Sequence, residues 1–139
     1  MAGPPEQSTA VGDKLGMSRG LVVQELGWDT DVDDDLRIAI EDSIDAELVE
    51  DAMEAVDMVV LWWRDDDGDL VDGLVEAMTD LTANGQIWLM TPKIGRTGYV
   101  DAADISEAAV TAGLSLTNGA AISADWSANK LVRPRGSRR

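Results

Sequence analysis

The sequence predicts an α/β fold: one three-layer domain with helices on both faces of a mostly parallel sheet of about five or six strands, the C-terminal strand antiparallel. Three observations predict it. Val56 to Lys93 reads as strand, acidic turn, helix, turn and strand, a right-handed βαβ unit that requires parallel strands. Within it, Met58 to Trp63 is almost uninterrupted apolar sequence, the mark of a strand covered on both faces. Near the C-terminus, two strand-like segments follow one another with no helix between them, so they should pair antiparallel.

The elements follow in order. Residues 1–12 lack periodicity and are rich in Pro, Gly, Ser and Gln, which predicts a disordered tail, with one helical turn over Asp13 to Gly16. The domain is expected over residues 13–134, and a flexible basic tail over 135–139. Leu21 to Leu26, bounded by Gly20 and Gly27, is the first strand. The acidic run WDTDVDDD then offers a helix cap, and Val32, Leu36, Ile40 and Ile44 recur on one face of the helix that follows. A short second strand is expected around Glu47-Leu48-Val49, although these residues could also extend the helix. After the third strand, Asp67 or Asp69 caps a helix carrying Leu70, Leu74, Met78 and Leu81, with Asn84-Gly85 as its left-handed end. Gln86 to Met90 is the fourth strand. Asp104-Ile-Ser-Glu107 has capping-box spacing ahead of Ala108, Ala109 and Ala112. Leu114 to Thr117, resuming at Ala120 to Ser123, and Ala128 to Val132 complete the sheet.

Composition removes much chemistry. The chain of 139 residues has no Cys and no His, so thiolate, Ser-His-Asp and His- or Cys-ligated metal chemistry are excluded. The net charge is −16, with 21 acids against two bases between Glu25 and Asp80. Such a field repels nucleic acid and favours a basic protein partner. The N-terminus has no basic segment followed by an apolar core, and no apolar run reaches the roughly 18 residues that cross a membrane. A soluble cytoplasmic protein is the expectation.

The segments VVLWWRDDDGDLVDGLVEAM, GQIWLMTPKIGRTGYV and DWSANKLVRP resemble a small actinobacterial family of unknown function. The resemblance spans Leu21 to Pro134 and implies a shortened class I methyltransferase-like fold. By that analogy the strands lie in the order second, first, third, fourth, sixth, fifth, with the last antiparallel. The turn after the first strand departs from the methyltransferase pattern. A nucleotide-binding turn is glycine-rich so that backbone can approach the cofactor. Here it is QELGWDTDVDDD, with a single Gly27, a bulky Trp28 and many carboxylates. No cofactor is therefore expected.

Thr91 to Tyr99 follows the carboxyl end of a central strand, where open α/β sheets bind ligands. Thr91, Lys93, Arg96 and Trp126 are the candidate ligand or anion site. The structural alternative is that Lys93 and Arg96 pair with Asp65 to Asp67. Asp65 and Asp66 are candidates for a weak cation, although neither acidic run has the spacing of a calcium loop. Asp31, Asp33, Asp65 or Asp66, and Thr91 echo the order of a receiver phospho-acceptor site, but its Lys is missing near Ser123. Trp62 and Trp63 are adjacent on a strand, so they must enter opposite layers. The favoured reading is an acidic Rossmann-like protein, more a binding or regulatory protein than an enzyme, acting through a protein partner. The alternatives are a small-molecule or anion-binding protein, or a degenerate methyltransferase, using the Thr91 to Tyr99 loop.

Overall fold

A computed structural model describes residues 6–120 and 123–134. The elements are α1 (Glu6–Leu15), β1 (Val23–Leu26), α2 (Asp34–Ile44), β2 (Val56–Trp62), α3 (Leu70–Ala77), β3 (Leu81–Pro92), α4 (Ala102–Thr111), β4 (Ser115–Ala120) and β5 (Trp126–Val132). The sheet runs β1-β2-β3-β5-β4. β1, β2 and β3 are parallel, and β5 is antiparallel to both of its neighbours. The expected second strand is reduced to a single parallel bridge, Gln24 to Val49. With Val49 counted as the outermost strand, the order is the one the methyltransferase analogy implied.

Alternation along the strands sends side chains into two separate cores. Val60, Trp62, Trp88, Met90, Trp126 and Ala128 pack with Leu36, Ile40 and Ile44 of α2 and Leu15 of α1. Val59, Leu61, Ile87, Leu89 and Leu131 pack with Leu70 and Leu74 of α3 and Ile105 and Ala109 of α4. Trp62 therefore enters the α1/α2 layer, whereas Trp63 packs at the α3/α4 layer. Gly73 of α3 makes room for it, since a Cβ there would meet the Trp63 ring.

Local chemistry sets the ends of the helices. Asp33 caps α2 by accepting from the Leu36 N–H at 3.0 Å, and Asp69 caps α3 by accepting from the Val71 N–H at 2.9 Å. Asp67, the other expected cap, accepts from the Arg64 N–H instead.

Four expectations are corrected. The N-terminal tail expected through residue 12 gives way to a helix from Glu6. Its Val11 and Leu15 are buried in the α1/α2 core, and the Trp88 indole N–H donates to the Leu15 carbonyl at 2.9 Å. α3 ends at Ala77 rather than at Asn84-Gly85, and those residues lie inside β3, where the register with β2 shifts. A Cβ on Gly85 would crowd the Leu81 side chain and the Asp57 carbonyl, so that Gly permits a close approach rather than ending a helix. α4 starts at Ala102 behind Asp101, so Asp104 lies in the first turn and is not the cap. β4 is one strand through Ala120 and β5 starts at Trp126, two residues earlier than expected. The remainder of the expected tails, residues 1–5 and 135–139, lies outside the described residues.

Candidate functional site

The order in which strands are added to the sheet reverses between β1 and β2, because the Val49 bridge lies on one side of β1 and β2 on the other. In open α/β sheets the crevice at the carboxyl ends of such strands is where ligands bind. Here Arg64, two residues past β2, occupies it. Its Nη1 donates to the Gly27 carbonyl at 2.7 Å, its Nε donates to Asp31 Oδ2 at 3.0 Å, and its Nη2 pairs with the other Asp31 oxygen. Asp67 pairs with Nη1 at 3.3 Å. The guanidinium also lies 5.2 Å from the centre of the Trp126 ring, within cation–π range. The residue is 8% exposed, so this is a nearly buried hub that ties the β1 turn, the β2 end and β5 together.

Gly27 lies at φ 78°, and a Cβ there would collide with the Trp62 carbonyl. The one glycine of the turn thus lets the chain after β1 close onto the end of β2.

Beneath this hub, Glu25 is 3% exposed in the middle of β1. It accepts from Arg37 Nε at 2.6 Å, Arg37 Nη2 at 2.8 Å and the Trp62 indole N–H at 2.9 Å. A buried carboxylate needs this many donors to offset its lost hydration. Trp62 in turn meets Trp126 edge-on, with centroids 4.9 Å apart at 81°. The Trp126 indole N–H donates to the Asp31 carbonyl at 3.2 Å, and Ser123 Oγ donates to Asp33 at 2.7 Å. Side chains from β1, β2 and β5, from α2 and from the loops that flank them are therefore linked into one network.

Charge follows the geometry. The hydrogen bond from Arg64 holds the Asp31 carboxyl below its ordinary range, against the opposing effect of burial. Burial disfavours the charge on Arg64, but bonds and charges from Asp31 and then Asp67 outweigh it and raise its pKa. The bond to Glu25 likewise raises the pKa of Arg37, against burial. A group with a depressed folded pKa stabilises the fold above its unfolded value and loses that contribution as pH falls through the folded value. The window for Asp31 therefore opens near 3.8 and extends downward. Asp31→Asn should lower stability at neutral pH and flatten the decline below about pH 4. Denaturant titrations at both pH values check this; an unchanged acid limb would refute the coupling.

Above the hub opens a cavity of about 600 Å³, whose walls include Asp29, Asp31, Asp66, Asp67, Arg96 and Trp126. Both of its arginines are already paired, Arg64 as above and Arg96 with Asp125 at 2.9 Å. The cavity therefore has excess negative charge.

The four candidate ligand residues are not brought together. Arg96 and Trp126 line this cavity, whereas Thr91 and Lys93 line another of about 430 Å³ beside α4. The expected pairing of Lys93 and Arg96 with Asp65 to Asp67 is replaced by Arg64 with Asp67 and Arg96 with Asp125. Asp65 and Asp66 also diverge, since Asp66 lines the large cavity and Asp65 a third one between α3 and α4. Among the described residues, no three acids are placed to hold a metal ion. The receiver-like set is dispersed as well: Asp33 is a cap, Asp31 is paired, and Thr91 lies by the α4 cavity. No helix among the described residues is long and apolar enough to cross a membrane.

Arg64, Glu25 and Arg37 were missed as site residues. A signal existed, because Arg37 and Arg64 are the two bases among 21 acids from Glu25 to Asp80. Cations that scarce in an acidic segment mark the points where carboxylates must be neutralised.

The comparisons with known proteins agree with this frame. Residues 12–135 match the family described as "Protein of unknown function (DUF3052)". Uncharacterized proteins of Mycobacterium tuberculosis and Mycobacterium bovis are each 51% identical over 123 residues, covering 88% of this chain and 77% of theirs. Among solved structures, magnesium protoporphyrin IX methyltransferase from Synechocystis with bound SAM superposes with a TM-score of 0.56 at 12% identity, over 91% of this chain and 77% of that one. The pyocyanin biosynthetic protein PhzM gives 0.67 at 10% identity, over 91% and 54%. The O-methyltransferase NcsB1 from neocarzinostatin biosynthesis, in complex with S-adenosylmethionine, gives 0.65 at 16% identity, over 89% and 51%. At such identities the likeness shows the fold alone. The chain belongs to the DUF3052 family of unknown function and has a methyltransferase-like Rossmann fold.

Proposed function

We propose that this chain is a non-catalytic binding protein that has kept the methyltransferase-like frame and acts by docking a basic surface of a protein partner. The observation that carries this reading is Arg64, lodged between the Gly27 carbonyl and Asp31 where a nucleotide cofactor would need open backbone. A cofactor would have to break that network before it could bind. The charge of the carboxyl edge supports the partner half of the reading. Asp29, Asp66 and Asp67 surround a cavity whose arginines are spent, and Trp28 beside them is 50% exposed. Acidic side chains around an exposed aromatic suit a Lys- or Arg-rich surface, with attraction that weakens as salt rises.

Calorimetric titration with S-adenosylmethionine and S-adenosylhomocysteine tests the non-catalytic half. No saturable heat is expected up to about 1 mM ligand, and a Kd below about 100 μM would overturn the reading in favour of a degenerate methyltransferase. For the partner, a stoichiometric complex recovered from native lysate should weaken in high salt and with Asp66→Asn. A complex indifferent to both would remove the acidic edge from the interaction.

A further inference from the structure

We propose that the cavity beside α4 is a binding site for a small organic carboxylate with an apolar body, such as an aryl or medium-chain alkyl acid. This site lies on the opposite face of the sheet from the Arg64 hub and goes beyond the partner-binding reading.

The placement follows from the strand register. Thr91 of β3 pairs with Ser127 of β5, and Leu89 with Asn129. These residues alternate with Met90 and Ala128 of the α1/α2 core, so they face the α4 side. Thr91, Ser127 and Asn129 form one wall of the cavity of about 430 Å³, with Lys93, Ile94, Tyr99, Val100, Ala102 and Ile105 around it. That volume is within the range of small-molecule sites and far larger than an inorganic ion requires.

Three independent features favour an anionic end. Thr91 is 2% exposed and lines the cavity, yet its hydroxyl has no hydrogen-bond partner among the described residues. No buried side-chain oxygen or nitrogen among the described residues lacks a partner, so this hydroxyl opens onto the cavity, where it is free to bond a ligand in place of water. Lys93 forms no ion pair among the described residues, although the chain carries 27 acids against 11 bases. The other cations at this edge, Arg64 and Arg96, are both paired. Finally, α4 begins at the cavity wall with Ala102, and its N-cap Asp101 makes no side-chain capping bond. An uncapped helix N-terminus favours negative charge. Asp104 of the first turn lines the neighbouring cavity between α3 and α4 instead.

The chemistry selects among anions. One ammonium and one helix end match a single charge, and the surrounding net charge of −16 disfavours a phosphate dianion. Ile94, Val100 and Ile105 provide apolar walls that reward a hydrocarbon body. Ile94 is 78% exposed, so a ligand body would cover it.

The test is a titration of the uniformly nitrogen-15-labelled full chain, followed by amide chemical shifts. The probes are phenylacetate and octanoate, with phenylacetamide and sulfate as neutral and bare-anion controls. Saturable shifts are expected with at least one carboxylate at Lys93, at Val100 to Ala103 and at Ser127. The amide and sulfate should move these residues at least roughly tenfold more weakly, the worth of a charge-assisted hydrogen bond. Lys93→Met should weaken the carboxylate about tenfold, and Thr91→Val about threefold, with the melting temperature of Lys93→Met unchanged. Lys93 is partly exposed, so its variant keeps the test interpretable if Thr91→Val fails to fold. The proposal is overturned if neither carboxylate gives saturable shifts by about 10 mM, if phenylacetamide or sulfate binds as well as phenylacetate, or if the shifts centre on Arg64 and Asp66. Binding of S-adenosylmethionine in the separate calorimetric experiment would overturn the function proposed above and leave this site standing.

Discussion

Replacing Glu25 by alanine is expected to cost about 3–5 kcal/mol of folding stability, the range for removing one partner of a buried ion pair. The carboxylate is 3% exposed and accepts three hydrogen bonds, two from Arg37 and one from Trp62. Without it, a buried indole N–H and a partly buried guanidinium lose their acceptor together. Arg37 can swing toward Asp34, 3.6 Å away, or to water, because its side chain is 26% exposed. The Trp62 indole has no such escape, since that residue is 0% exposed. Glu25→Gln should therefore cost less than Glu25→Ala, because an amide oxygen still accepts from Trp62. The double variant Glu25→Ala, Arg37→Met should recover part of the loss, which a double-mutant cycle in urea measures. A single-variant loss under about 1 kcal/mol would show that the pair is not the keystone of β1.

Arg64→Met is expected to cost about 2–3 kcal/mol and to loosen the crevice. The substitution keeps the aliphatic stem but deletes the bonds to Gly27, Asp31 and Asp67. It also uncovers one face of Trp126, so tryptophan emission should move to longer wavelength. The carboxylates of Asp31 and Asp67 reach solvent and can be rehydrated, which is why the expected cost is below that of Glu25→Ala. Arg64→Lys should recover less than half of the loss, since an ammonium cannot serve Asp31 with two parallel bonds and the Gly27 carbonyl at once. Full rescue by lysine would mean that charge alone matters, and not the planar fork.

These residues show how far the sequence was readable. The β2-α3-β3 unit was legible because its signals are local: a continuous apolar strand, an aspartate at the cap and leucines one helical turn apart. The opposite layering of Trp62 and Trp63 followed from pleat alone. Of α1 only the last turn, expected from Asp13, was legible, since the residues before it have little helical periodicity. The helix is ordered by burying Val11 and Leu15 against α2, a tertiary contact that overrides weak propensity. The end of α3 was misplaced for a related reason. Asn84-Gly85 has the local chemistry of a helix end, yet Gly85 is needed where β3 passes the Asp57 carbonyl.

The candidate site divided in the same way. That a carboxyl-edge loop carries Thr91, Lys93 and Arg96 was apparent in the sequence, because strand ends and charges can be read one segment at a time. Which face each residue serves was not, since it depends on the register of β3 against β5 and on how the loop turns after Pro92.

By itself the sequence determined the α/β class, the parallel centre, the antiparallel end and the single glycine of the turn after the first strand. All of these rest on residue type and on spacing along one stretch of chain. Only the tertiary structure decided that Arg64 closes the crevice, that Glu25 and Arg37 support it, and that Lys93 is left beside a separate cavity. Those outcomes depend on which of many carboxylates lies within about 3 Å of which of few bases, and distance through space is fixed by packing.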